Sequence, residues 1–177
     1  MSIAAKKVLV PLTVLLAAGA LAVGSGATFS SESNNTISTV TSGTLLQSNS
    51  KNGAQIFGLD NLKPGDTVNG SVTITNTGSL PATFSLTEVA SSNTFSGANL
   101  KLAIKNTTTN TTVFDGTFGA LVDGDKTDLG TVAPAAANTY VFTVTLDQNA
   151  TNTEQDKTAS ATYKWSSVQQ AATVTNQ

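Results

Sequence analysis

The acidic run Asp123-Gly124-Asp125-Lys126-Thr127-Asp128 is the stretch of this chain best equipped to bind a ligand. Asp123, Asp125 and Asp128 offer carboxylates around Gly124 that can converge on a hard cation such as calcium. The run lacks the twelve-residue loop and closing Glu of a dedicated calcium site, so an ordinary solvated turn is the simpler reading. Asp60 and Asp66 flank a Pro-Gly turn and are placed to cap it by accepting from backbone amides. Tyr140, Phe142, Tyr163 and Trp165 suit either a sugar-stacking platform or a core. Their regular alternation favours the core.

What the chain lacks narrows the chemistry further. It contains no Cys and no His, and all nine basic residues are Lys. The commonest general base, the commonest zinc ligand, a thiol nucleophile and the guanidinium clamp are all missing. No catalytic residue, cofactor or firm metal site is assigned on these grounds. A zinc protease needs imidazole or carboxylate ligands around a positioned base, typically two His on one helix face, and is disfavoured here.

The elements that carry these residues follow a period of two. Val68, Gly70, Val72 and Ile74 share one face of a strand, and Asn69, Ser71, Thr73 and Thr75 share the other. The turn before it is built on Pro64, Gly65 and Asp66, with Pro64 presetting φ and Gly65 free to take positive φ. Asn76-Thr77-Gly78 closes the strand, and Phe84 and Leu86 resume the alternation. Further strands are expected over residues 54–59, 82–89, 100–105, 111–118, 140–146 and 159–166, with residues 123–128 as a loop. Strands at roughly ten-residue spacing with turn signals between them predict an all-β, antiparallel two-sheet sandwich of jelly-roll or immunoglobulin-like type.

Length and charge fit one domain with an N-terminal extra. The chain has 177 residues, of which 11% are charged, against roughly 25% in a typical soluble domain. Residues 1–27 read as a secretory signal helix: Lys6 and Lys7, an apolar run, then Gly24-Ser25-Gly26-Ala27, with cleavage between Ala27 and Thr28. The apolar run is shorter than the roughly 20 residues that span a bilayer, so no stable membrane span is expected in the mature form. Cleavage leaves seven Lys against eleven acids, a net charge of 7 − 11 = −4, which disfavours nucleic acid as a partner. Residues 28–50 form a polar segment whose exceptions include Phe29, Ile37 and Val40. Read plainly it is a flexible leader, and read more sharply it is a strand that pairs when offered an edge. Residues 51–177 are the expected domain. Asn-x-Thr/Ser sequons at Asn34, Asn69, Asn106, Asn110 and Asn149 arise easily in so Asn- and Thr-rich a chain.

Several of these motifs resemble the TasA/camelysin family of exported matrix proteins. They are Gly24-Ser25-Gly26-Ala27-Thr28-Phe29, Ser42-Gly43-Thr44-Leu45, Asn61-Leu62-Lys63-Pro64-Gly65-Asp66, Asn76-Thr77-Gly78-Ser79-Leu80, and the closing Leu146-Asp147-Gln148-Asn149-Ala150 with Tyr163-Lys164-Trp165. Ser30 and Ser31 stand where the family usually carries an acidic residue, with Glu32 just beyond. The resemblance implies a secreted, non-catalytic jelly roll that polymerises into extracellular or surface fibres. In that scheme a freed N-terminal strand, carrying Thr28, Phe29, Ile37 and Val40, completes a sheet of the next subunit. The implied partners are other copies of the chain, related matrix or accessory proteins, and signal peptidase during export. The alternative is a monomeric cell-surface adhesin or wall-associated binding module. Some camelysin-like proteins are described as metalloproteases, the activity that the missing ligands disfavour.

Overall fold

A computed structural model describes residues 30–33, 44–58 and 62–171. The signal segment, its cleavage site at Ala27 and Thr28, and Phe29, Ile37, Val40 and Asp60 lie outside these. Nine strands are described: β1 (Ser30–Ser33), β2 (Gln47–Asn49), β3 (Thr67–Asn76), β4 (Ala82–Asn93), β5 (Leu100–Asn106), β6 (Thr111–Thr117), β7 (Lys126–Val132), β8 (Ala137–Leu146) and β9 (Ala159–Gln169). They form two sheets, ordered β1-β9-β4-β7 and β2-β3-β8-β5-β6, and every pairing is antiparallel.

The pairings are nested. β1 pairs with β9, β3 with β8, β4 with β7 and β5 with β6, as if one long hairpin had been rolled into two layers. This is the jelly roll expected from the strand spacing, with β2 added at one edge.

The alternation seen in the sequence builds the core. Val72 and Ile74 of β3, Leu100, Leu102 and Ile104 of β5, and Tyr140, Phe142, Val144 and Leu146 of β8 are all buried. Ala82, Phe84 and Leu86 of β4 meet them from the opposite sheet together with Trp165 of β9. Burying each large apolar side chain contributes roughly 1.5–3 kcal/mol. The four aromatics face one another across the layers: Tyr140 and Trp165 have ring centroids 4.8 Å apart, and Phe142 and Tyr163 5.1 Å. These are the tilted packings aromatic pairs prefer, and they make the rings part of the core.

On the outer face of the five-stranded sheet, hydroxyls pair across strands. Thr67 and Thr145 Oγ1 atoms lie 3.0 Å apart, Thr73 and Thr139 2.9 Å, and Thr143 Oγ1 donates to Asn69 Oδ1 at 2.6 Å.

Three sequence expectations are corrected. Residues 54–58 form no strand. Adjacent Ile56 and Phe57 both pack against the core, which a strand with alternating faces cannot do against one surface. The Ile56 carbonyl instead presses against Gly70, where a Cβ would collide with it. Residues 126–128, expected in a loop, open strand β7. A bulge opposite Phe84 and Ser85, with Gly130 at φ 82, shifts the parity of β7 and hides its alternation. Finally, the segment 28–50, expected to be polar and ahead of the domain, reaches the core at Leu45, only 1% of which is exposed.

Candidate assembly edge

Two turns that flank β3 are set by local polar devices. At the first, Gly65 takes φ 88, its N–H donates to Leu146 O at 2.9 Å, and Asp66 Oδ2 accepts from Lys63 N at 2.8 Å. Pro64 opens this turn, which leads into β3. At the second, where the chain leaves β3 for the other sheet, Asn76 is fully buried. Its Nδ2 donates to Leu80 O at 2.8 Å and Val132 O at 2.9 Å, while its Oδ1 accepts from Gly78 N at 3.0 Å. A Cβ at Gly78 would collide with the Thr44 carbonyl, so glycine is what lets the β2 side approach.

β2 is anchored through this same corner. Leu46 O accepts from Thr77 N at 3.0 Å and Gly78 N at 3.1 Å, and Thr44 O accepts from Ser79 N at 3.0 Å. Buried Gln47 crosses the layers, its Nε2 donating to Trp165 O at 3.0 Å.

The opposite arrangement holds at the other sheet's edge. β9 has 11 residues and pairs with β4 from Ala159 to Gln169. On its far side β1 covers only Trp165, Ser166, Ser167 and Val168, through Ser33, Glu32, Ser31 and Ser30. Among the described strands, residues 159–163 pair with β4 alone. Beside residues 159–163 lies an open groove of about 1300 Å³, whose lining mixes Ile56, Phe57, Phe95 and Phe118 with Lys51 and Lys157.

Two ionisable groups shape this end of the sandwich. Glu154, in a single 3-10 turn before β9, accepts from Ser96 N at 3.0 Å through Oε2 and from Asn99 Nδ2 at 2.9 Å through Oε1. Chiefly through the Ser96 amide, its carboxyl is held below the ordinary carboxylate range. It thereby ties the β4–β5 crossing to the β8–β9 crossing. Tyr163 lies opposite the buried Glu88 in the β4–β9 register. Burial first, then the Glu88 carboxylate, push its phenol well above the ordinary value. Neither Gln47, Glu88 nor Glu154 stands out in the sequence. All three are ordinary polar residues whose role depends on strands brought together from far along the chain.

The acidic candidates behave differently. Asp123, Asp125 and Asp128 are exposed. Asp128 Oδ1 is engaged by Gly130 N at 2.9 Å, within the β7 bulge. No group of three Asp or Glu able to hold a metal ion occurs among the described residues, and no described helix is long and apolar enough to cross a membrane.

No curated protein matches the chain significantly. A family model described as camelysin metallo-endopeptidase matches residues 5–173. That description implies a catalytic metal, and the donor set does not fit one: the chain has neither His nor Cys, and its described carboxylates do not gather. The match nevertheless runs from the first residues to the end of the sandwich and takes in every motif that suggested the TasA/camelysin resemblance. The protein belongs to the camelysin family.

Proposed function

We propose that the protein is a secreted, non-catalytic structural subunit that joins other copies of itself into extracellular or cell-surface fibres by strand addition. The observation that carries this reading is the edge of β9, where the N-terminal strand β1 pairs with Trp165–Val168 and residues 159–163 lie beside a groove of mixed polar and apolar lining. A strand supplied by a neighbour satisfies the open backbone groups, and its inward side chains fill the groove. The donor is the N-terminal segment that begins at Thr28 once the signal helix is removed. The absence of His and Cys supports a structural role over proteolysis.

The test is electron microscopy of purified protein beginning at Thr28, beside a shorter form beginning at Thr44. The shorter form keeps Leu45 and β2 and so retains the core. Filaments from the first and none from the second are expected. A longer form that stays monomeric at every concentration overturns self-polymerisation and favours a monomeric adhesin.

A further inference from the structure

Apart from Met1, every side chain of this protein that gives up an electron readily sits in one place. The chain has one Trp, two Tyr and one Met, with neither Cys nor His. Tyr140, Trp165 and Tyr163 gather around Phe142 in the core. Tyr140 and Trp165 have ring centroids 4.8 Å apart, Phe142 and Tyr163 5.1 Å, and Phe142 and Trp165 6.4 Å. We infer that this cluster is a trap for one-electron oxidants, such as oxygen- or nitrogen-centred radicals, in which the oxidation comes to rest on Tyr163 and Glu88 takes up the phenol's proton. The trap does not depend on assembly, because every residue in it belongs to one sandwich.

Glu88 is what distinguishes the two tyrosines. It stands opposite Tyr163 in the β4–β9 ladder, and only 1% of it is exposed. Among the described residues, both Glu88 carboxylate oxygens and the Tyr163 hydroxyl are buried without a hydrogen-bond partner. The two groups nevertheless act on one another: after burial itself, this carboxylate is the main reason the phenol holds its proton so tightly. The polar neighbour of the Tyr140 hydroxyl is the Asn138 side chain, an amide, which does not take up a proton.

The step balances within the cluster. An oxidant removes one electron from Trp165, leaving an indole radical cation. An electron then passes from Tyr163 to Trp165, the Oη–H bond of Tyr163 breaks, and its proton goes to a Glu88 oxygen. Trp165 is restored, Tyr163 becomes a neutral phenoxyl radical, Glu88 becomes a neutral carboxylic acid, and the oxidant has been reduced by one electron. Before oxidation, loss of the phenol's proton would set two negative charges side by side in the interior, which is costly. After the electron has left, the same proton transfer turns a buried cation and a buried carboxylate into neutral groups. Tyr140 has no such base beside it, so the oxidation does not settle there.

Pulse radiolysis of the protein beginning at Thr28, with azide radicals as the oxidant, tests this. Tryptophanyl and tyrosyl radicals absorb at different wavelengths and are followed separately. The tryptophanyl signal is expected to decay as the tyrosyl signal grows, at a rate independent of protein concentration and lower in D2O. Tyr163→Phe keeps the ring against Phe142 and is expected to prolong the tryptophanyl signal, whereas Tyr140→Phe leaves the transfer unchanged. A positioned base typically contributes roughly 10²–10⁴-fold to such a step, so Glu88→Gln is expected to slow the transfer about tenfold or more. Should Glu88→Gln fail to fold, the D2O rate and the two tyrosine variants still decide. Transfer that survives Tyr163→Phe, or that is lost in Tyr140→Phe, overturns the assignment of Tyr163. Equal rates in water and D2O, or a folded Glu88→Gln variant as fast as the parent, overturn the role of Glu88. A parent protein in which no tyrosyl signal grows overturns the trap altogether.

Discussion

The polar N-terminal region supplies both β1 and β2, and the two strands are held in opposite ways. β2 has three residues, one fewer than β1. Yet Leu45 before it is in the core, Gln47 reaches across to Trp165, and the Asn76 corner grips Thr44 and Leu46. β1 has its ladder on β9 and an all-polar sequence. Strand length therefore says little about permanence, which depends on whether side chains enter the core. The sandwich core thus already includes Leu45, ahead of β2.

This contrast can be broken from the β2 side. Leu45→Ala is expected to cost about 2–5 kcal/mol, as buried Leu truncations do, measured by urea denaturation. Asn76→Ala takes the Nδ2 donor from the Leu80 and Val132 carbonyls and one of the two acceptors of the Gly78 amide, and is expected to cost about 2–4 kcal/mol in the same experiment. If either change leaves stability untouched, β2 is not the anchored edge described here.

The groove end responds to pH at two limits. The Glu154 carboxyl is lowered, so its contribution is complete above its ordinary value of 4.5 and is lost as pH falls through the lower folded value. Glu154→Gln should lower the urea midpoint at neutral pH, with variant and parent converging in strong acid. The Tyr163 phenol is raised, so its contribution is complete below the ordinary value of 10.0 and disappears as pH rises beyond it. Tyr163→Phe should therefore soften the alkaline loss of stability. Parallel pH profiles for parent and variants would remove both assignments.

The smallest effect is expected on the β1 side. A chain beginning at Asn34 should lose at most about 1 kcal/mol relative to one beginning at Thr28, since a short polar ladder is nearly balanced by the entropy of ordering it. A larger loss would make β1 as permanent as β2.

Most strands are legible in the sequence because one face of each is apolar. β3, β5 and β8 alternate without interruption, and the inward set of β9 from Ala159 to Trp165 reads the same way. β7 is hidden because its bulge sends Leu129 and Val132 inward at a spacing of three, which matches neither strand nor helix. The 54–58 segment misleads because two neighbouring apolar residues imitate a strand while packing as a loop. The candidate edge is less legible still. That β1 pairs with β9 at Trp165–Val168 depends on segments over 130 positions apart, and no local pattern encodes such a match. The motifs at Pro64 and Asn76 mark where the chain turns, but only the assembled sheets reveal which strands lie next to one another.

The paired hydroxyls on the outer face have one more consequence. Thr67 with Thr145, Thr73 with Thr139 and Asn69 with Thr143 meet one another's polar demands, and one ion pair joins described residues, Lys101 with Asp147 at 3.9 Å. Such a surface offers dissolved ions little to screen. If the subunits assemble as proposed, through backbone pairing and apolar contact, their cohesion should change little between fresh water and brine.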